Sequence, residues 1–148
     1  MCSNGIGAGD WLMFSGSVLG VAGGIAAAFL AVYLQRRAEV KSRGKTILGL
    51  IALLEAAAEK LNQEAATNPV KGVSAVLRAF TALRDTAFGV RTTSAAFATL
   101  AAEMEHTEVW SQITRLSASK GIVAVDAIDR AAEIKSFCEE LRTYLRDE

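Results

Sequence analysis

The feature that most constrains this chain is an apolar stretch of 24 residues, Trp11–Leu34, that contains no charged side chain. As an α-helix it would be roughly 36 Å long, against about 30 Å for the hydrocarbon core of a bilayer. Buried helices of soluble proteins are usually shorter or carry a polar face. A signal peptide needs a basic residue before its apolar segment, and residues 1–10 contain none. The stretch therefore predicts a transmembrane helix at residues 11–35.

Charges on either side of this stretch predict its orientation. The N-terminal flank carries Asp10 and no lysine or arginine. The C-terminal flank, residues 36–45, is called the basic collar here, and its cations are Arg36, Arg37, Lys41, Arg43 and Lys45. Because basic flanks stay in the cytoplasm, residues 1–10 should lie outside the bacterial inner membrane and the rest of the chain inside. The collar can also attract anionic membrane lipids, by about 1 kcal/mol per cation.

Small residues recur every four positions within the apolar stretch. They are Gly16, Gly20, Gly24 and Ala28, called the glycine ridge here. Such a row lets two helix backbones approach closely, which favours association of helices in lipid. Glycine is also frequent in membrane helices that do not associate. We interpret the ridge as a self-association surface and expect a homo-oligomer.

The composition of residues 46–148 favours helices. This part of the chain is rich in alanine, and the whole chain has one proline and 7% aromatic residues. The formal net charge of the whole chain is zero, so no nucleic-acid partner is expected. The predicted fold is all-α, with one N-terminal transmembrane helix followed by a small antiparallel bundle of about four helices in the cytoplasm.

Start signals and breaks define these four helices. Their predicted ranges are 46–65, 69–91, 94–117 and 122–146. The first follows a break at Gly44 with Thr46 as its N-cap, and the second starts at Asn68–Pro69, where Asn caps and Pro suits the first position. The dense apolar run Ile47–Leu54 fits either a core helix or a segment in the membrane interface.

Apolar spacing predicts which faces of the helices point inward. For the second bundle helix the inward residues are Val70, Val73, Val76, Leu77, Phe80, Leu83, Ala87 and Phe88. For the last helix they are Val125, Ile128, Ala132, Phe137, Leu141 and Tyr144. Trp110 fits the core by its spacing from Ile113, and it is also a candidate interface residue because tryptophan is enriched at binding hot spots.

Patterns that resemble catalytic or metal-binding motifs are incomplete. Gly44–Thr46 resembles the end of a phosphate-binding loop, but Glu39 stands where that loop needs its first glycine. Glu103 and His106 form one Glu-x-x-His step, whereas a di-iron bundle needs two and the chain has a single histidine. We therefore expect no enzyme activity, no cofactor and no metal site.

The residues Asp10, Trp11, Phe14, Gly16, Ser17 and Gly20 form the pattern D-W-x-x-F-x-G-S-x-x-G. This pattern resembles the N-terminal anchor of small single-pass proteins of bacteria and their prophages, over residues 10–37. Some small membrane proteins of mobile elements act in phage exclusion or defence. The resemblance implies such a setting, and it implies no active-site residues.

Two function classes agree with these observations. The first is a membrane-anchored helical interaction or regulatory protein with an unidentified cytoplasmic protein partner. The second is an oligomeric pore former, such as a holin-like protein or an abortive-infection effector, in which Ile47–Leu54 would insert into the bilayer. The apolar stretch lacks a polar stripe that could line a water-filled pore, which favours the first class.

Overall fold

The computed structural model describes the backbone of residues 8–119 and 121–146, and the side chains of residues 23–119 and 121–146. These residues form five α-helices and no strand. The helices are α1 (Ala8–Glu64), α2 (Pro69–Val90), α3 (Ala95–His106), α4 (Glu108–Ala118) and α5 (Ala124–Thr143). The all-α prediction is confirmed.

The chain divides into two compact units, Met1–Glu39 and Val40–Glu148. In the first unit, the large apolar side chains that the structure describes are exposed to more than half of their area. They are Ile25, Phe29, Leu30, Val32, Tyr33 and Leu34. Within the described part of the chain, no helix has both the length and the apolar character needed to span a membrane.

The second unit is a helical bundle, as predicted, with α2 at its centre. Helix α2 contacts α3, α4 and α5, and at Gly72 it also approaches Leu61 of α1 closely. The Phe80 ring stacks on Trp110 with 5.0 Å between ring centroids, and on Phe137 at 6.1 Å. The largest fully buried side chains are Phe80, Phe97, Ile47, Ile51, Leu54, Leu61, Leu83, Leu100, Met104, Ile113, Ile134 and Leu141.

Helix α1 continues through Gly44, so the predicted break there is wrong. Thr46 is not an N-cap, because its hydroxyl donates a hydrogen bond to the Ser42 carbonyl oxygen at 3.2 Å within the helix. A glycine inside a helix costs about 1 kcal/mol relative to alanine. Burial of Ile47 and Ile51 against the bundle outweighs that cost, since each large aliphatic side chain contributes about 1.5–3 kcal/mol.

The predicted start of α2 is confirmed. Pro69 occupies the first turn, and the Asn68 side-chain oxygen accepts a hydrogen bond from the Lys71 backbone N–H at 3.3 Å. This bond satisfies one of the free backbone donors at the beginning of the helix. Ser94 caps α3 in the same way, by accepting from the Phe97 N–H at 3.3 Å.

The single helix predicted over residues 94–117 is two helices, α3 and α4, divided at Thr107. The backbone of Thr107 is extended, with φ −66° and ψ 131°. Its hydroxyl oxygen accepts from the Val109 N–H at 3.3 Å and so caps α4. Threonine side chains offer the backbone such an alternative to a helical hydrogen bond, and an apolar pattern that continues across the break conceals it.

Inward faces were predicted well for α2 and poorly for the first half of α5. In α2, Val73, Val76, Phe80, Leu83 and Ala87 are buried, Leu77 and Phe88 are half-buried, and Val70 is exposed. In α5, Phe137 and Leu141 are buried and Tyr144 is half-buried, whereas Val125, Ile128 and Ala132 are exposed.

The reason for the error is that α5 has apolar residues on two opposite faces. The buried face runs the length of the helix and consists of Ala127, Ala131, Ile134, Phe137, Cys138 and Leu141. The exposed face ends at Ala132. The longer face buries more apolar surface against α2 and α4, so it is the one that points inward.

Candidate interaction surfaces

The described half of the glycine ridge is not covered by any residue that the structure describes. Gly24 and Ala28 are exposed, and a Cβ atom placed on Gly24 would have no neighbouring atom within 4 Å. Gly16 and Gly20 lie outside the residues whose side chains are described. Self-association through the ridge therefore stays a prediction.

The cations of the basic collar differ in their surroundings. Arg36, Arg37, Lys41 and Lys45 are exposed. Arg43 is half-buried, and its guanidinium Nη1 donates a hydrogen bond to the Thr93 hydroxyl oxygen at 3.0 Å. This bond connects α1 to the loop between α2 and α3, so Arg43 contributes to the packing of the bundle, a role that the sequence did not indicate.

Trp110 lies at the edge of the core, as its spacing from Ile113 predicted, and its role as an interface residue stays a prediction. One face of the ring stacks on buried Phe80, and the Arg84 guanidinium carbon lies 4.6 Å from the ring centroid. A cation over an indole ring contributes about 0.5–1 kcal/mol at an exposed site. The side chain is half-buried, so it helps to close the core and presents an edge to the surface.

An open cleft of about 440 Å³ lies next to Trp110. It is lined by Arg84, Asp85, Phe88, Met104, Glu105 and Trp110. The Arg84 Nε atom and the Asp85 Oδ1 atom are 3.8 Å apart, so charges of both signs border the aromatic surface. The lining combines two aromatic rings and a methionine with one cation and two carboxylates, and it contains no Ser, Thr, Cys, Lys or His side chain.

Side chains with potential chemistry elsewhere in the described residues are dispersed or protonated. No group of three His, Cys, Asp or Glu residues among them could hold a metal ion. Cys138 is fully buried, and burial raises the pKa of its thiol to about 12. At neutral pH this thiol is protonated, and a protonated thiol is a poor nucleophile.

Sequence reasoning missed a groove on the outer surface between α1 and α2. This α1–α2 groove has a volume of about 550 Å³ and is lined by Leu53, Ala56, Ala57, Lys60, Ala75, Arg78, Ala79 and Ala82. The alanines at 75, 79 and 82 repeat with helical spacing beside the buried stripe of α2. That repeat was the available signal, since small side chains leave a channel between packed helices.

A second surface contains three residues that the sequence analysis assigned to the core, Val125, Ile128 and Ala132. We define the α5 patch as the exposed apolar residues Val123, Val125, Ile128 and Ala132. Val125 is 63% exposed and Ile128 is 45% exposed. Asp126 and Asp129 are exposed within the same segment. The patch is therefore apolar with acidic neighbours.

Comparison with known proteins gave no family model, no curated protein and no solved structure that matches the chain. Over the residues that the structure describes, the class is an all-α protein with a small helical bundle, on which the α1–α2 groove and the α5 patch are uncovered apolar surfaces.

Proposed function

We propose that this chain is a single-pass protein of the bacterial inner membrane, whose helical bundle binds a protein partner in the cytoplasm. The observation that carries the proposal is the uncharged stretch Trp11–Leu34 followed at once by the basic collar. The α1–α2 groove, the α5 patch and the edge of Trp110 support binding over catalysis. The resemblance over residues 10–37 supports a phage- or defence-related setting.

Fractionation and topology reporters test the membrane anchor. The full chain should stay in the membrane pellet after alkaline extraction, and a periplasm-specific reporter should be active only at the N-terminus. Val21→Arg, at the centre of the stretch, should release the chain, because a central arginine costs about 2.5–3.5 kcal/mol for insertion. Val21→Leu is the matched control and should stay in the pellet. A wild-type chain in the soluble fraction would refute the anchor.

Self-association through the glycine ridge has its own test. Gly20→Leu should reduce the signal of a membrane two-hybrid assay, because a large side chain separates the two backbones. Ala22→Leu adds a side chain of the same size on the opposite face of the helix and should leave the signal unchanged. Equal signals for the two variants would exclude the ridge.

The pore former is the alternative, and the burial of three large residues of the segment Ile47–Leu54 argues against it. Ile47, Ile51 and Leu54 are fully buried in the bundle, so insertion of this segment would remove them from the core. Inducible expression with a voltage-sensitive dye separates the two functions. An intact membrane potential is expected, and rapid depolarisation that Gly20→Leu abolishes would support the pore instead.

A further inference from the structure

The bundle carries an uncovered apolar groove, the α1–α2 groove, and an uncovered apolar helix face, the α5 patch. We infer that the α5 patch of one copy docks in the α1–α2 groove of a second copy, so that the bundles associate head to tail. This contact is separate from the glycine ridge and does not depend on the membrane anchor proposed above.

The α1–α2 groove has the shape and polarity to receive an apolar helix face. Its lining is aliphatic except for Lys60 and Arg78. Leu53 stands at its edge with 54% of its surface exposed, while Ala57 and Ala79 form a buried floor. An amphipathic helix that lays its apolar face in such a groove is a recurrent mode of protein recognition.

The α5 patch matches the groove in length. Val125, Ile128 and Ala132 follow the spacing i, i+3, i+7, which aligns them on the helix face opposite the buried one. Residues seven apart in a helix are separated by about 10 Å. Leu53 and Lys60, which mark the extent of the groove along α1, are also seven apart.

Charge selects this pairing over a symmetric one. Asp126 and Asp129 form no ion pair with a described side chain, and neither does Arg78 of the groove. Lys60 has only a distant partner, Glu64 at 3.9 Å. Groove against groove would bring like cations together, and patch against patch would bring like carboxylates together. Only groove against patch brings opposite charges together.

Head-to-tail pairing determines the type of assembly. Because the two contacting surfaces differ, a pair of copies leaves one groove free at one end and one patch free at the other. Unless both copies dock reciprocally about a two-fold axis and close a dimer, such a contact continues into a ring or an open chain. In the head-to-tail arrangement inferred here, the bundle forms oligomers larger than two, whereas reciprocal docking would give dimers only.

Disulfide crosslinking of the full chain in detergent micelles tests the pairing. In a Cys2→Ser background, Ala82→Cys puts a thiol in the groove and Val125→Cys puts one in the patch. Mild oxidation of the double variant should give a ladder of dimers, trimers and larger species. Each single variant should give no ladder, because a groove meets only a patch. The control for random collision is the double variant Ala98→Cys with Val125→Cys, in which the first thiol lies at an exposed position of α3 outside the groove.

Charge reversal adds a readout that a purely structural effect would not produce. Arg78→Glu should lower the crosslinked fraction about tenfold, and a further Asp129→Arg should restore it. Gly20→Leu should leave the ladder intact, which separates this contact from the glycine ridge. A dimer from Ala82→Cys alone, a ladder no stronger than the Ala98→Cys control, or no rescue by Asp129→Arg would overturn the inference.

Discussion

Helix α1 contains two apolar regions, one whose large side chains are exposed and one whose large side chains are buried. Between residues 23 and 39 the large aliphatic and aromatic side chains are exposed, whereas between residues 47 and 61 the side chains of Ile47, Ile51, Leu54 and Leu61 are fully buried. Both regions are helical, so local propensity is satisfied in each. The difference is that α2, α3 and α5 supply covering surfaces for the second region. Helix formation and burial are therefore separate properties. The contribution of the packing of α2, α3 and α5 against α1 to the free energy of unfolding can be tested.

The largest effect should come from two adjacent leucines of α1. Leu54 is fully buried and Leu53 is 54% exposed. Leu54→Ala should lower the free energy of unfolding by about 2–5 kcal/mol, because it leaves a cavity in the core. Leu53→Ala should change it by less than about 0.5 kcal/mol. Urea unfolding of the full chain, followed by tryptophan fluorescence, measures both changes. Equal losses of unfolding free energy in the two variants would contradict the described burial of Leu54.

Glycine substitutions test how closely α2 packs against α1. A Cβ atom on Gly72 would lie 2.8 Å from the Leu61 Cα atom of α1, closer than real Cβ contacts. Gly72→Ala should therefore destabilise the chain by about 1–3 kcal/mol.

The matched control for Gly72 is Gly49, a helical glycine with no atom within 4 Å of a Cβ built on it. Gly49→Ala should stabilise the chain by about 0.5–1 kcal/mol, through a lower entropy of the unfolded state. Opposite signs in thermal or urea unfolding are expected. A stabilising Gly72→Ala would show that α1 and α2 do not approach as described.

Titration of Cys138 tests whether the packed core excludes water from this thiol. Burial raises the pKa of this thiol from its ordinary value of 9.0 to about 12, so between these pH values the folded state keeps a proton that the unfolded state releases. The free energy of unfolding should fall as the pH rises through this window, by up to about 1.4 kcal/mol per pH unit.

Comparison with Cys138→Ala isolates this contribution. The difference in unfolding free energy between wild type and variant should be constant below pH 9 and shrink above it. A difference that stays constant up to pH 11 would mean that the thiol titrates normally and is hydrated.

The smallest effect should come from the ion pair between Glu55 of α1 and Arg142 of α5. The Arg142 guanidinium lowers the pKa of the Glu55 carboxyl, so the pair stabilises the fold above pH 4.5 and its contribution is lost as the pH falls through the lowered pKa. Both side chains are about one-third exposed, which limits the pair to less than about 1 kcal/mol.

A double-mutant cycle with Glu55→Gln and Arg142→Gln measures the coupling energy of this pair. The coupling should decrease at high salt, since exposed charges are screened. A coupling above about 2 kcal/mol would mean that the pair is more buried than described.

Local signals were the predictable part of the fold. The start of α2 was readable because Asn68 and Pro69 act through their own backbone neighbours. The stripe of α2 was readable because this helix has one apolar face. The division at Thr107 was hidden, because the apolar pattern of α3 continues into α4 and the polar residues Glu105, His106 and Glu108 beside Thr107 also suit an exposed turn of one continuous helix.

The candidate surfaces were less predictable than the fold. Trp110 was recognised from its residue type, but its stacking on Phe80 and its contact with Arg84 join separate helices. Arg43 was assigned to the membrane surface, and its hydrogen bond to Thr93 spans 50 positions of the chain. Such partners are distant in sequence, so no spacing rule identifies them.

The sequence by itself determined the helical content, the start of α2 and the uncharged stretch Trp11–Leu34, because these depend on propensity, capping and composition within a few residues. Only the tertiary structure decided that α1 continues through Gly44, which face of α5 is buried and where the α1–α2 groove lies. Each of these depends on how much apolar surface the neighbouring helices cover. That quantity is a property of the packed bundle and not of any single segment.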